Sequence, residues 1–138
     1  MENQKPIERK ADDKKGSTVT VTSGWSDIRI NDHPLFVRLC QRYQFKPNEM
    51  EEKVRKIQYR AITRTLRTGA VQNGFELRTK GTDGGHLVVK SPTDGIWYCN
   101  CPRYLFKGGM RSLIPCKHLI GCISHGLGAP EDWFQYLV

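Results

Sequence analysis

Apolar positions along this chain change period several times, and each change predicts an element. Val19 and Val21 alternate with Thr18, Thr20 and Thr22, the two-residue repeat of a half-buried strand, which Gly24 stops. A helix is expected from Asp32 or His33, with Pro34 in its first turn and Leu35, Phe36, Leu39, Cys40 and Tyr43 on one face, ending near Phe45. Pro47 and Asn48 punctuate the chain. Asn48 can cap a second helix, with Glu51 standing where a capping box puts its acid. Met50, Val54, Ile57 and Ala61 then recur at helical spacing, so the second helix is expected to run to about Thr68, before Gly69. Residues 75–80 and 86–90 read as a hairpin around a Gly-rich turn. A second turn at Pro92-Thr93-Asp94-Gly95 leads into the aromatic and β-branched Ile96-Trp97-Tyr98. Pro115 precedes a helical pattern through Leu119, Ile120 and Ile123, and residues 130–138 read as a short helix with Pro in its first turn and a dense apolar end. That end either seals the core or binds a partner; in a domain this small, sealing is the expectation.

Chemistry enters between the last strand and the helix after Pro115. Cys99 and Cys101 form one tight pair, Cys116 and His118 another, with fourteen residues between the pairs. One intervening residue in each pair lets two donor atoms aim at a single point. Three thiolates and an imidazole suit a tetrahedral zinc ion, and four protein ligands close its coordination sphere, so the expected metal is structural. The second pair would open a helix, where free backbone N–H groups favour thiolates. Such a centre carries a net charge of about minus one, which Arg103, Lys107, Arg111 and Lys117 would offset, and no Asp or Glu lies between Cys99 and His118. Cys122 and His125 follow His118 by four and seven residues on the same helix face and stand as alternative ligands. Otherwise Cys122 is a core residue and His125 a helix-end imidazole. Cys40 reads as core, and His33 and His86 are isolated, hence structural or exposed.

Cys-x-Cys, a loop, then Cys-x-His opening a helix resembles the SWIM zinc finger, and with the upstream hairpin the resemblance covers roughly residues 75–126. Gly121 stands where some members of that family carry Ala. SWIM modules occur in Mutator-type transposases, related plant transcription factors, some helicase-like ATPases and small proteins that bind recombinase paralogues. The resemblance therefore implies bound Zn2+ and a role in nucleic-acid binding or protein interaction.

Charge sharpens this expectation. The 138-residue chain has a formal net charge of +8, which points to an acidic partner, most often nucleic acid. Lys53, Lys56, Arg60, Arg64 and Arg67 recur along the expected second helix. Beside Arg103, Lys107 and Arg111 they would make one surface tracking a phosphate backbone, DNA ahead of RNA, with Tyr104 and Phe106 either stacking on bases or packing over the metal site. The other reading of this stripe is a solvated basic face. A protein partner held by the C-terminal aromatic segment, for example a recombinase-type or other DNA-processing protein, is the alternative function.

The chain has no phosphate-binding Gly-x-x-x-x-Gly-Lys-Ser/Thr loop and no His-Glu-x-x-His helix, and Cys40 or Cys122 has no recognisable catalytic base, so no enzyme is expected. No apolar run is long enough to span a membrane, the N-terminus lacks a signal-peptide stretch, and five cysteines leave one without a disulfide partner, which together suggest an intracellular, reducing location. The expected fold is α+β, a small zinc-stabilised module of hairpin and helix packed with two N-terminal helices. Its expected parts are a disordered charged tail at 1–16, a helical region with the basic helix at 17–70, and the SWIM-like finger with the C-terminal helix at 71–138.

Overall fold

The backbone settles into an α+β arrangement because long β-branched, alternating segments pair into one sheet whose apolar face needs cover. The computed structural model describes residues 7–10, 18–82, 85–102, 104 and 114–137. Its strands are β1 (Ile7–Lys10), β2 (Thr18–Val21), β3 (Ser26–Asp27), β4 (Ile57–Thr65), β5 (Val71–Thr79), β6 (His86–Lys90) and β7 (Trp97–Cys99). Its helices are α1 (His33–Arg42), α2 (Pro47–Val54), α3 (Lys117–His125) and, after a 3-10 turn at Pro130–Trp133, α4 (Phe134–Leu137). The strands form one antiparallel sheet in the order β1-β2-β4-β5-β6-β7, with β3 pairing β4. Among the described residues no helix is long and apolar enough to cross a membrane.

The axis of the sheet is the β4–β5 ladder, in register from Ile57↔Thr79 to Thr65↔Val71. This overturns the expected second helix, which stops at Val54. Residues 57–65 are rich in β-branched side chains, and Ile57, Tyr59 and Ala61 alternate with Gln58, Arg60 and Ile62. A spacing of four residues, such as Arg60 to Arg64, keeps two side chains on one face of a helix and equally on one face of a strand. The basic spacing therefore cannot tell the two apart, and pairing with β5 decides. The start of α2 also differs: Lys46 is its N-cap, without a side-chain cap bond, and Pro47 occupies the first turn in place of an Asn48 cap. Glu51 instead accepts a hydrogen bond from Arg55 Nε at 2.9 Å. α1 starts as expected, with Asp32 accepting from the Leu35 amide at 3.1 Å. Within the charged segment 1–16, Ile7–Lys10 is a strand and not a disordered tail, because its backbone pairs with β2 from Ile7↔Val21 to Lys10↔Thr18. The rest of that segment lies outside the described residues.

Strand alternation sorts side chains to two faces. Ile57, Leu77, Val88, Trp97 and Cys99 form one core with Phe36, Leu39 and Cys40 of α1, Met50 and Val54 of α2, and Leu119, Ile120, Cys122 and Ile123 of α3. On the other face Val19, Val21, Ile62, Leu87 and Val89 make a second cluster. Gly74 sits between its halves. A Cβ there would stand 2.8 Å from Val89 Cγ1 and 3.6 Å from Ile62 Cδ1, so the missing side chain is what lets these two residues meet across β5. The C-terminus seals the core as expected: Trp133 is buried with its ring 5.2 Å from that of Trp97. The Tyr136 hydroxyl, also buried, donates to the Trp97 carbonyl at 2.5 Å and shares a 2.8 Å hydrogen bond with the Tyr104 hydroxyl.

Gly74→Ala should cost about 1–3 kcal/mol, because the new methyl would also meet the Val88 carbonyl oxygen at 3.0 Å, a backbone atom that cannot swing aside. Urea denaturation of the two proteins measures this directly, and an unchanged midpoint would mean that the sheet relaxes freely at β5.

Candidate metal centre

Four local structures bring the donor atoms together. Cys99 is the last residue of β7 and, opposite Val88 in the register, points from the sheet into the core shared with the helices. The chain then turns away. Asn100 marks the turn by continuing the ladder with β6, its amide donating to the Leu87 carbonyl at 3.1 Å and its Oδ1 accepting from the Leu87 amide at 2.8 Å. Cys101 follows, its sulfur accepting the Tyr104 amide at 3.4 Å. Cys116 is the N-cap of α3 in extended conformation, with its carbonyl accepting the first helical hydrogen bond from Ile120, and His118 is the second helical residue.

At Gly121 the helix packs against α2 and the segment after β3. A Cβ there would lie 3.4 Å from Ile28 Cγ2 and 3.5 Å from Val54 Cγ1, ordinary van der Waals contact, so alanine also fits and larger side chains would have to displace Ile28 or Val54.

The result is a buried cluster of Cys99, Cys101, Cys116 and His118 whose donor atoms all lie within 4.8 Å of one another, and which can hold a metal ion. His118 turns Nδ1 inward, 3.6 Å from Cys99 Sγ and 3.7 Å from Cys116 Sγ. Burial pushes the Cys99 thiol well up and Cys116 up to about 12. Cys101, accepting from Cys116 and Cys99, is pulled strongly down. On one side the cluster borders a cavity of about 520 Å³, where Cys101, Cys116 and His118 form part of the wall.

The alternative ligands stay outside. Cys122 is fully buried in the core, and burial raises its thiol too. His125 Nδ1 accepts the Arg29 amide at 2.8 Å across the helix end, and its ring meets Tyr59 edge-on at 5.0 Å. Burial lowers the His125 pKa, the main cause being loss of water around the ring. Cys40 is core, as expected. His86 is not isolated: its ring centroid is 5.1 Å from that of His118. No sequence spacing signals this, since β6 and α3 meet only in the folded chain.

The basic residues expected on one helix are dispersed. Arg60 bonds through Nε to Glu76 at 2.8 Å, and its guanidinium lies 4.3 Å from the Trp25 ring centroid. Glu76 is completely buried beneath it. Arg64 is only 3% exposed and donates to Gln72 at 2.9 Å, the Lys90 carbonyl at 3.1 Å and the Tyr98 hydroxyl at 3.4 Å. Both arginines are part of the fold, and reversing their charge would strand a buried partner or polar network. Lys53, Lys56 and Arg67 are exposed. β4, at about 3.3 Å per residue, separates Arg67 from the two lysines by roughly 30 Å. Tyr104 is buried against the core and does not face a ligand. Arg103, Phe106, Lys107 and Arg111 lie outside the described residues.

Loading a divalent ion must expel the protons that burial keeps on Cys99 and Cys116, so metal affinity should rise with pH, about tenfold per unit for each proton released. Chelator competition at about pH 6, 7 and 8 reads the number of protons, and an affinity independent of pH would contradict protonated thiols in the metal-free protein. Compared with known proteins, the chain matches no family model, no curated protein and no solved structure, so its function is argued from this cluster and its surroundings.

Proposed function

We propose that the Cys3His cluster holds a structural zinc ion, and that the protein is a SWIM-type binding module whose partner is nucleic acid, DNA ahead of RNA. The observation that carries the metal reading is the donor geometry. A tetrahedral zinc with bonds of about 2.3 Å to sulfur and about 2.0 Å to nitrogen has edges of about 3.5–3.8 Å. The His118 Nδ1 distances of 3.6 and 3.7 Å to two sulfurs match those edges. Zinc supplies here a fixed crosslink between the end of β7 and the start of α3, and four protein donors leave it no position for a substrate. This favours binding over catalysis. Five free cysteines suit a reducing, intracellular setting.

The nucleic-acid reading is supported by the net charge of +8 and by exposed cations whose charged groups make no hydrogen bond or ion pair among the described residues, Lys53 and Lys56 at the end of α2 and just after it, and Arg67 beyond the far end of β4. Phosphate contacts would dominate, so affinity should fall steeply with salt. One observation favours a protein partner as a second reading: Phe134 is 65% exposed on α4, while its neighbour Trp133 is buried.

Native mass spectrometry should find one zinc in the chain and none in Cys116→Ser; a folded chain without metal would end the zinc reading. Anisotropy titrations of a fluorescent oligonucleotide should give a log K that declines linearly with log salt. No affinity at low ionic strength would remove nucleic acid and leave the Phe134 surface, which Phe134→Ala would then test in a partner pull-down.

A further inference from the structure

The cavity beside the Cys/His cluster has a strongly cationic lining. Lys53 from the last turn of α2, Arg78 from β5 and Lys117, the first residue of α3, all line it, together with His86 and Thr79, and the described lining includes no Asp or Glu. Cationic residues from three separate elements thus meet at one space of about 520 Å³, a size ordinary for a small-ligand site. Arg78 is already oriented: its Nε donates to Gln58 at 3.1 Å, its Nη1 to the Thr82 carbonyl at 3.5 Å, and its guanidinium lies 4.0 Å from the Trp25 ring centroid. Nη2 is left without a hydrogen-bond partner among the described residues, as are the ammonium groups of Lys53 and Lys117.

The adjacent zinc centre, with three thiolates and a neutral imidazole, carries a charge of about minus one. It can balance one of the three cations, and two remain in excess. α3 also opens at this wall with no side-chain cap on its N-terminus, so its first amides add to the same field.

We infer that this cavity binds a phosphate group, held by Lys53, Arg78 and Lys117. The inference rests on the zinc reading for its charge balance and deepens the nucleic-acid reading by naming where a backbone phosphate would be anchored. A fixed, planar guanidinium beside two flexible ammonium groups matches phosphate oxygens in both geometry and charge. Two sources share that chemistry: a nucleic-acid phosphodiester and a free phosphate.

The test uses the full, zinc-loaded chain, with inorganic phosphate followed by calorimetry and a short oligothymidylate followed by anisotropy at several salt concentrations. The variants are Lys53→Gln, on a helix that carries no ligand, the pair Lys53→Gln/Lys117→Gln, and Arg67→Gln as a distant control, each checked for one zinc per chain. The pair should lose affinity about tenfold and make the salt slope of single-strand binding shallower by about 1.4, since each lost phosphate contact removes roughly 0.7. Lys53→Gln alone should give about half that slope change, and Arg67→Gln little. Loss of oligothymidylate binding with no phosphate binding by the parent chain supports the inference and identifies the phosphodiester as the source. Phosphate binding that the pair abolishes, without any oligothymidylate binding, supports the cavity and overturns the nucleic-acid reading. Oligothymidylate binding that the pair leaves unchanged, with no phosphate binding, overturns the cavity and spares the nucleic-acid reading. Binding of neither probe by the parent chain overturns both.

Discussion

Packing three thiols and an imidazole into one buried point is the constraint around which this protein is arranged. Without a cation, burial favours the protonated thiols of Cys99 and Cys116, while their hydrogen bonds to Cys101 pull that thiol down. With a divalent ion the same convergence becomes a crosslink, and its binding energy is folding energy. The donors come from the sheet, from the turn after it and from the start of α3, and so the ion would fix the helix against the sheet at the place where they approach most closely. The Tyr136 hydroxyl, bonded to Trp97 and Tyr104, ties the C-terminal helix to the same corner.

The sheet itself divides its work between two faces. One face is apolar and covered by α1, α2 and α3. The other combines a small aliphatic cluster with buried charge: Glu76 lies under Arg60, and Arg64 is enclosed by Gln72, Tyr98 and the Lys90 carbonyl. Such groups are costly to bury and costlier to unpair. They fix the register of β4 against β5, because a slip of one residue would carry Arg60 and Arg64 to the apolar face.

Net positive charge is therefore not a single surface. Part of it is structural, part is scattered at opposite ends of β4, and part belongs to residues of α2, β5 and α3 that line the cavity beside the Cys/His cluster. A cation that already has a buried partner cannot add much to binding, whereas one without a partner can. This difference separates Arg60 and Arg64 from Lys53 and Lys117 more sharply than any feature of their spacing.

The Cys/His cluster, the hairpin that leads to it and the two helices capped by Asp32 and Cys116 were legible in the amino-acid sequence, because each depends on residues close in the chain: paired donors, strand alternation, caps and prolines. The sequence also determined that Trp133 belongs inside, since so small a core needs its aromatics. The fate of residues 57–65 was decided only by tertiary structure. Their spacing of four fits a helix and a strand alike, and what chose the strand was a nine-residue partner, β5, beyond the turn at Gly69. The same holds for the contact between His86 and His118 and for the meeting of Lys53, Arg78 and Lys117 at one cavity. Those residues are far apart in sequence, and only the coverage of a sheet by helices brings them together.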